Sequence, residues 1–177
     1  MRIRLEVKEG EGRKKVIEGF GPPSRFNTIG RSHIYIRLFS GRIPADGIKP
    51  ERSSKQPEIL FHSGKEGSIE RASVVFGGKV YHYDVIPENV LKGDAYRIFK
   101  ALEALMKGNK EPLKKLAREW RGETEIRLKD SKDRARITLR IHAADIKDML
   151  ERHTHLKLGI ERQATLPEFG IRIRRGR

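Results

Sequence analysis

Over much of this chain apolar and polar residues alternate one by one, the period of a strand with one wet face and one buried face. In RIRLEVK (2–8), Ile3, Leu5 and Val7 point one way and Arg2, Arg4, Glu6 and Lys8 the other. EGEGR (9–13) reads as a turn and KKVIEGF (14–20) as the hairpin partner. Gly21-Pro22-Pro23 then breaks regular structure. HIYIRLF (33–39) resumes the alternation, with Ile34, Ile36 and Leu38 inward and His33, Tyr35 and Arg37 outward. EILFH (58–62) has strand character. RASVVF and KVYHYDVI flank Gly77-Gly78, a pair suited to a two-residue primed turn. That register sets Val75 opposite Val80 and Arg71 opposite Asp84. A second hairpin spans 123–141, with Ile126, Leu128, Ile137, Leu139 and Ile141 on the core side. Glu125, Arg127, Lys129, Arg136, Thr138 and Arg140 share its other face. IRIRR (171–175) is a last strand-like segment.

The period changes at Asp94–Met106. Ala95, Ile98, Phe99, Leu102, Leu105 and Met106 fall on one helical face, with Arg97, Lys100, Glu103 and Lys107 opposite. Asp94 is the expected cap, and Gly108-Asn109 the stop. Glu111–Arg121 predicts a second helix, with Pro112 in its first turn and Leu113, Leu116, Ala117 and Trp120 inward. A third is expected over Ala143–His155. The fold class is therefore α+β: an antiparallel sheet of about five to seven strands with two or three helices packed on one face. The length suits a single domain over 1–177. A subdomain break, if there is one, falls near 107–122.

Charge adds what pattern cannot. Lys and Arg number 39 against 24 Asp and Glu, leaving +15. Residues 1–90 hold +5 of this and residues 91–177 hold +10. Such a surplus favours nucleic acid as the partner, DNA or RNA. With no cysteine, disulfides, thiolate metal sites and cysteine nucleophiles are excluded. No signal-peptide segment or long apolar run is present, so the expectation is a cytoplasmic protein off the membrane. Three Asn and two Gln beside abundant Arg, Lys and Glu give the amide-poor, charged style of heat-stable proteins.

The recurring chemical pattern is arginine alternating with β-branched residues or leucine: Arg2/Arg4, Arg37, Arg127/Lys129, Arg136/Arg140 and Arg172/Arg174. If these strands share a sheet, one face is a field of guanidinium groups able to neutralise phosphates. Tyr35, and Tyr81 and Tyr83 from an outward face of the 79–86 strand, would add rings on which bases stack. Residues 40–57, with three prolines, read as a long loop carrying Arg42, Lys49, Arg52 and Lys55. The expected activity is nucleic-acid binding of low sequence specificity, with single-stranded or structured nucleic acid favoured over plain duplex.

Other chemistries have less support in the residues. The helix pair 94–106 and 111–121 invites a helix-turn-helix reading. However, the second helix exposes Lys and Arg, with no Asn, Gln or Ser to read base edges. Asp130-Ser131-Lys132 has the local shape of a nuclease motif but sits where a hairpin turn is expected. His153-x-His155, His82-x-Asp84 and Asp145-x-x-Asp148 lack the spacing of a multi-ligand metal site. No glycine-rich phosphate loop or nucleotide fingerprint is present, so no cofactor is implied. A metal-dependent nuclease, including one of mobile-element type, is the alternative from the enzyme class. A structural subunit of a ribonucleoprotein is the other.

Overall fold

The alternating segments become nine antiparallel strands among the residues that the structure describes, which are 1–8, 10, 12–28, 31–39, 56–64 and 67–152 of a computed structural model. In chain order they are β1 (Arg2–Lys8), β2 (Lys14–Phe20), β3 (Ser24–Thr28), β4 (Arg31–Arg37), β5 (Glu58–Ser63), β6 (Ile69–Phe76), β7 (Lys79–Pro87), β8 (Glu123–Asp130) and β9 (Ala135–His142). Three helices complete the fold: α1 (Gly93–Met106), α2 (Glu111–Glu119) and α3 (Ala143–Glu151). The sheet order is β2-β1-β9-β8-β7-β6-β5-β4-β3, so nearly every strand lies beside its sequence neighbour and β9 returns to β1.

The two ends of this order meet. Phe20 and Phe39 exchange backbone hydrogen bonds of 2.9 and 2.7 Å. That pair is in the same register as Ser24–Tyr35 and Arg25–Ile34 between β3 and β4. β2 and β3 are thus two halves of one bent strand, the first half paired with β1 and the second with β4. The sheet curls into a barrel-like wall through that bend. Gly21-Pro22-Pro23, read from sequence as an interruption, is the corner of the wall, and β3 beyond it is the strand that the alternation does not reveal; the sheet has nine strands, more than the five to seven expected. Glycine is needed here for close approach. A Cβ on Gly21 would stand 2.1 Å from the Arg37 carbonyl oxygen, and one on Gly19 2.7 Å from that of Phe39.

The inner face of the wall carries Ile3, Leu5, Ile34, Ile36, Val74, Ile126, Leu128, Ile137 and Leu139, all buried in one cluster with the apolar stripe of α1. α1 touches both β4 and β8, which lie on opposite sides of the curled wall, so it fills the concavity and does not merely cover an open face. Packing is tight. The void between Phe99, Leu102, Ile36 and Leu139 holds about 10 Å³, roughly what one water needs. The 71–86 hairpin has the expected register, Val75–Val80 and Arg71–Asp84, and the second hairpin keeps its apolar residues together by pairing Ile126 with Leu139 and Leu128 with Ile137.

Capping differs from expectation. α1 starts after Lys92 without a side-chain cap, and the Asp94 carboxylate instead accepts a 3.1 Å hydrogen bond from Trp120 Nε1. That bond ties the first turn of α1 to the end of α2. α3 is capped by His142, whose Nδ1 accepts from the Ala144 amide, while Asp145 accepts from the His142 amide at 2.7 Å. Asp145 is buried and also pairs with the Met1 amino group at 2.5 Å. α3 ends at Glu151, with Arg152 extended after it, and the residues 153–155 and 171–175, expected as helix end and strand, lie outside the described residues.

Two substitutions test this architecture by urea denaturation. Phe99→Ala, which empties a buried position on α1, is expected to cost roughly 3–5 kcal/mol. Gly21→Ala should cost roughly 1–3 kcal/mol by forcing the corner apart. An unchanged midpoint for Gly21→Ala would mean that the wall does not close there.

Candidate nucleic-acid interface

β8 and β9 alternate about the wall, so Arg127, Lys129, Arg136 and Arg140 do share its outer face, joined by Arg2 and Arg4 of β1. Arg2 is directly opposite Arg140, and Arg4 opposite Thr138. A groove of about 540 Å³ runs over this area, lined by Arg2, Arg4, Glu18, Glu125, Thr138 and Arg140.

The field of guanidinium groups is, however, interleaved with carboxylates. Arg4 bonds Glu6 at 3.0 Å and Glu18 at 2.9 Å. Arg127 and Arg140 reach Glu125 at 3.2 and 3.4 Å, and Arg136 reaches Glu88 at 3.2 Å. Burial works against a charged Glu6, but the bond from Arg4 and the nearby Lys14 outweigh it and hold its pKa below the ordinary value. Neighbouring carboxylates thus answer most of the like-charge repulsion that these strands would otherwise carry. Arg2 and Lys129 have no ion-pair partner among the described residues. The arginines that are paired are about half exposed, and pairs of that kind contribute only about 0.2–1 kcal/mol each. A phosphate can therefore replace a glutamate at small cost.

The other expected contacts are not gathered here. Arg37, on β4, is separated from β8 by three strands. Its guanidinium donates to Tyr35 Oη and to Glu58, both at 3.2 Å. Tyr35 is buried, and that burial, with the Glu58 charge, pushes its phenol above the ordinary range. Tyr83 faces inward, not outward, and is buried in the core cluster. Desolvation raises its phenol to about 12 in spite of the Arg134 guanidinium. Tyr81 packs on the same inner side, with its ring stacked on Phe76 at 4.9 Å. Neither Tyr35 nor Tyr83 offers a ring face to a base. The inward register of Tyr81 and Tyr83 was already implied by Val85, which shares their face. Arg42, Lys49, Arg52, Arg172 and Arg174 lie outside the described residues.

Sequence reading missed a buried polar ladder on the outer side of β4–β7. His33 Nδ1 and His62 Nδ1 are 3.2 Å apart, His62 Nε2 lies 2.9 Å from Ser73 Oγ, and Ser73 Oγ lies 2.9 Å from His82 Nδ1. His33, His62 and Ser73 are buried. The signal for it was present, since His33, His62, Ser73 and His82 all occupy outward positions of alternating strands. Among the described residues no three His, Asp or Glu side chains converge to hold a metal ion, and no helix is long and apolar enough to cross a membrane.

Asp130, the acidic member of the Asp130-Ser131-Lys132 motif, has a structural role. Its buried carboxylate accepts from Arg134 Nε at 2.7 Å and Nη2 at 3.1 Å, and from the amides of Lys132 and Arg134. It closes the β8–β9 turn.

On the helices the cations are less answered. Lys114, Lys115 and Arg118 form an exposed ridge on α2 opposite the buried Leu113 and Leu116, in an αα-hairpin with α1. Only Lys114 has a carboxylate partner, Glu111 at 3.5 Å. Comparison of the chain with protein-family models, curated proteins and solved structures finds no match.

The Asp130 staple makes a pH prediction. The bonds from Arg134 hold its pKa below the ordinary carboxylate value against the opposing effect of burial. A depressed folded pKa contributes stability that is complete above the unfolded value and lost as pH falls through the folded one. Asp130→Asn should therefore cost roughly 1–3 kcal/mol at neutral pH, with a penalty that shrinks in acid. Urea midpoints across a pH series check this, and a penalty independent of pH would remove the ionic part of the account.

Proposed function

We propose that this protein binds nucleic acid with little sequence specificity, docking phosphates on the outer face of β1, β9 and β8. The observation that carries the reading is the direct opposition of Arg2 and Arg140 across β1 and β9, beside Arg4 and Thr138, along one groove. Arg2 brings a guanidinium with no carboxylate of its own, and Thr138 brings a neutral hydroxyl that can donate to a phosphate oxygen. The net charge of +15 supplies the long-range attraction. Phosphate docking of this kind draws its free energy from counterion release and needs no base contact. Arg37 belongs to a separate cluster with Tyr35 and Glu58, so its loss is expected to act on stability more than on affinity.

Fluorescence anisotropy with labelled single- and double-stranded DNA and RNA over a salt series tests the proposal. Log K should fall linearly with log[salt], and Arg2→Ala and Arg140→Ala should each reduce the slope by about one for every sequence alike. Absence of binding at low salt, or a flat salt dependence, would overturn it.

A further inference from the structure

Tyr96, in the first turn of α1, stands open on the surface with 42% of its area exposed. Of the other tyrosine, phenylalanine and tryptophan side chains whose exposure the structure describes, each is buried or half-buried. Tyr96 points away from the α1 stripe that fills the barrel, and Lys100 and Lys107 follow it along the same outward ridge, one and about three turns on. Lys100 Nζ lies 5.9 Å from the Tyr96 ring centre, at the outer limit of a cation–π contact.

The turn that presents Tyr96 is held firmly. Trp120 Nε1 donates to Asp94 at 3.1 Å, and Arg97 reaches Asp94 and Glu119 at 3.9 and 4.0 Å. The preceding loop is pinned to the wall by Asn89, which donates to the Glu125 carbonyl at 2.8 Å and accepts from the Arg127 amide at 2.9 Å. Glu125 lines the proposed phosphate groove, so the loop leading to Tyr96 is fastened to the strand that carries that groove. Lys92, just before α1, and Arg118, in the last turn of α2, are exposed cations with no ion-pair partner among the described residues.

We infer that the bound nucleic acid is single-stranded, with an unpaired base stacking on Tyr96 while neighbouring phosphates are met by Lys92, Lys100 and Arg118. The inference rests on the phosphate-docking reading above and adds to it the strandedness of the ligand. A base can lie on an open ring only if it is free of its own stack, which a duplex interior does not permit, and ring–base stacking tolerates any base. A ring held on a fixed helical turn loses little freedom when a base arrives. Lys100 does not block this, because an exposed contact at the distance limit is readily exchanged for a base.

The test uses the full chain with fluorescein-labelled dT15, rU15 and a mixed-sequence 15-base-pair duplex. Tyr96→Leu keeps apolar bulk and helix propensity but removes the ring, and Tyr96→Phe keeps the ring. Leucine at this position should weaken dT15 and rU15 binding by roughly 5- to 100-fold. The salt slope and the duplex affinity should not change, and phenylalanine should bind as tyrosine does. A 5-bromouracil oligonucleotide should photocrosslink to a peptide containing residue 96. Thermal melting confirms that both variants remain folded. Unchanged single-strand affinity in Tyr96→Leu, equal losses on duplex, or a crosslink elsewhere overturns the inference while leaving phosphate docking intact. Failure of the unmodified protein to bind any of the three probes overturns both.

Discussion

Everything in this fold depends on closing a curled sheet at one bent strand. The β3–β4 register continues through Gly21-Pro22-Pro23 to the Phe20–Phe39 pair, and the closure requires the backbones at Gly19 and Gly21 to come within a distance that no Cβ allows. The two prolines donate no hydrogen bond, so the strand can turn there without leaving a ladder donor unpaired. Closure also protects much of the free sheet edge that an open sheet of this size would present to other chains.

A closed wall creates a second demand, since its interior must be filled to the density of a solid. The strands contribute β-branched and leucine side chains, but a curl this wide leaves a volume that they cannot reach alone. α1 supplies the rest, which accounts for its broad apolar stripe and for the burial of Ile98, Leu102 and Leu105. The helix is inserted between β7 and β8, so the hairpin order of the wall is kept while the plug enters from one end. Its outward side is then fixed by the same packing, and that side carries Tyr96, Lys100 and Lys107.

The charge distribution follows from the wall. Once the inner positions are apolar, period-two alternation sends every Arg, Lys and Glu of β1, β8 and β9 to the outer face, where like charges on neighbouring strands would repel. Glu6, Glu18, Glu88 and Glu125 are placed to prevent this. The pairs are exposed and weak, so they relieve the repulsion while leaving each arginine free to exchange its partner. On the helices, Lys100 and Lys114 have glutamate partners at 3.5 Å, while Lys107, Lys115 and Arg118 have none among the described residues and keep part of the positive surplus open to solvent.

Much of this was legible in the sequence because strand and helix periods are local properties. The alternation fixed which side of each strand faces inward, the Gly77-Gly78 turn set the Val75–Val80 register, and the i, i+3, i+4 spacing located α1. The shared outer face of Arg127, Lys129, Arg136 and Arg140 followed from the same parity. Local pattern could not show closure, because the bond between Phe20 and Phe39 depends on where a bend points, and a Gly-Pro-Pro corner looks like a stop. Nor could it show which carboxylates answer which arginines, since Glu88 meets Arg136 across 48 residues. The tyrosines make the same point. Alternation placed Tyr35 on the outer side correctly, but burial there is decided by what packs against that side. Tyr81 and Tyr83 turned inward because Val85 fixed their parity, and Tyr96 became the open ring only when α1 was set inside the wall. Parity is written in the chain, whereas exposure and charge pairing belong to the assembled surface.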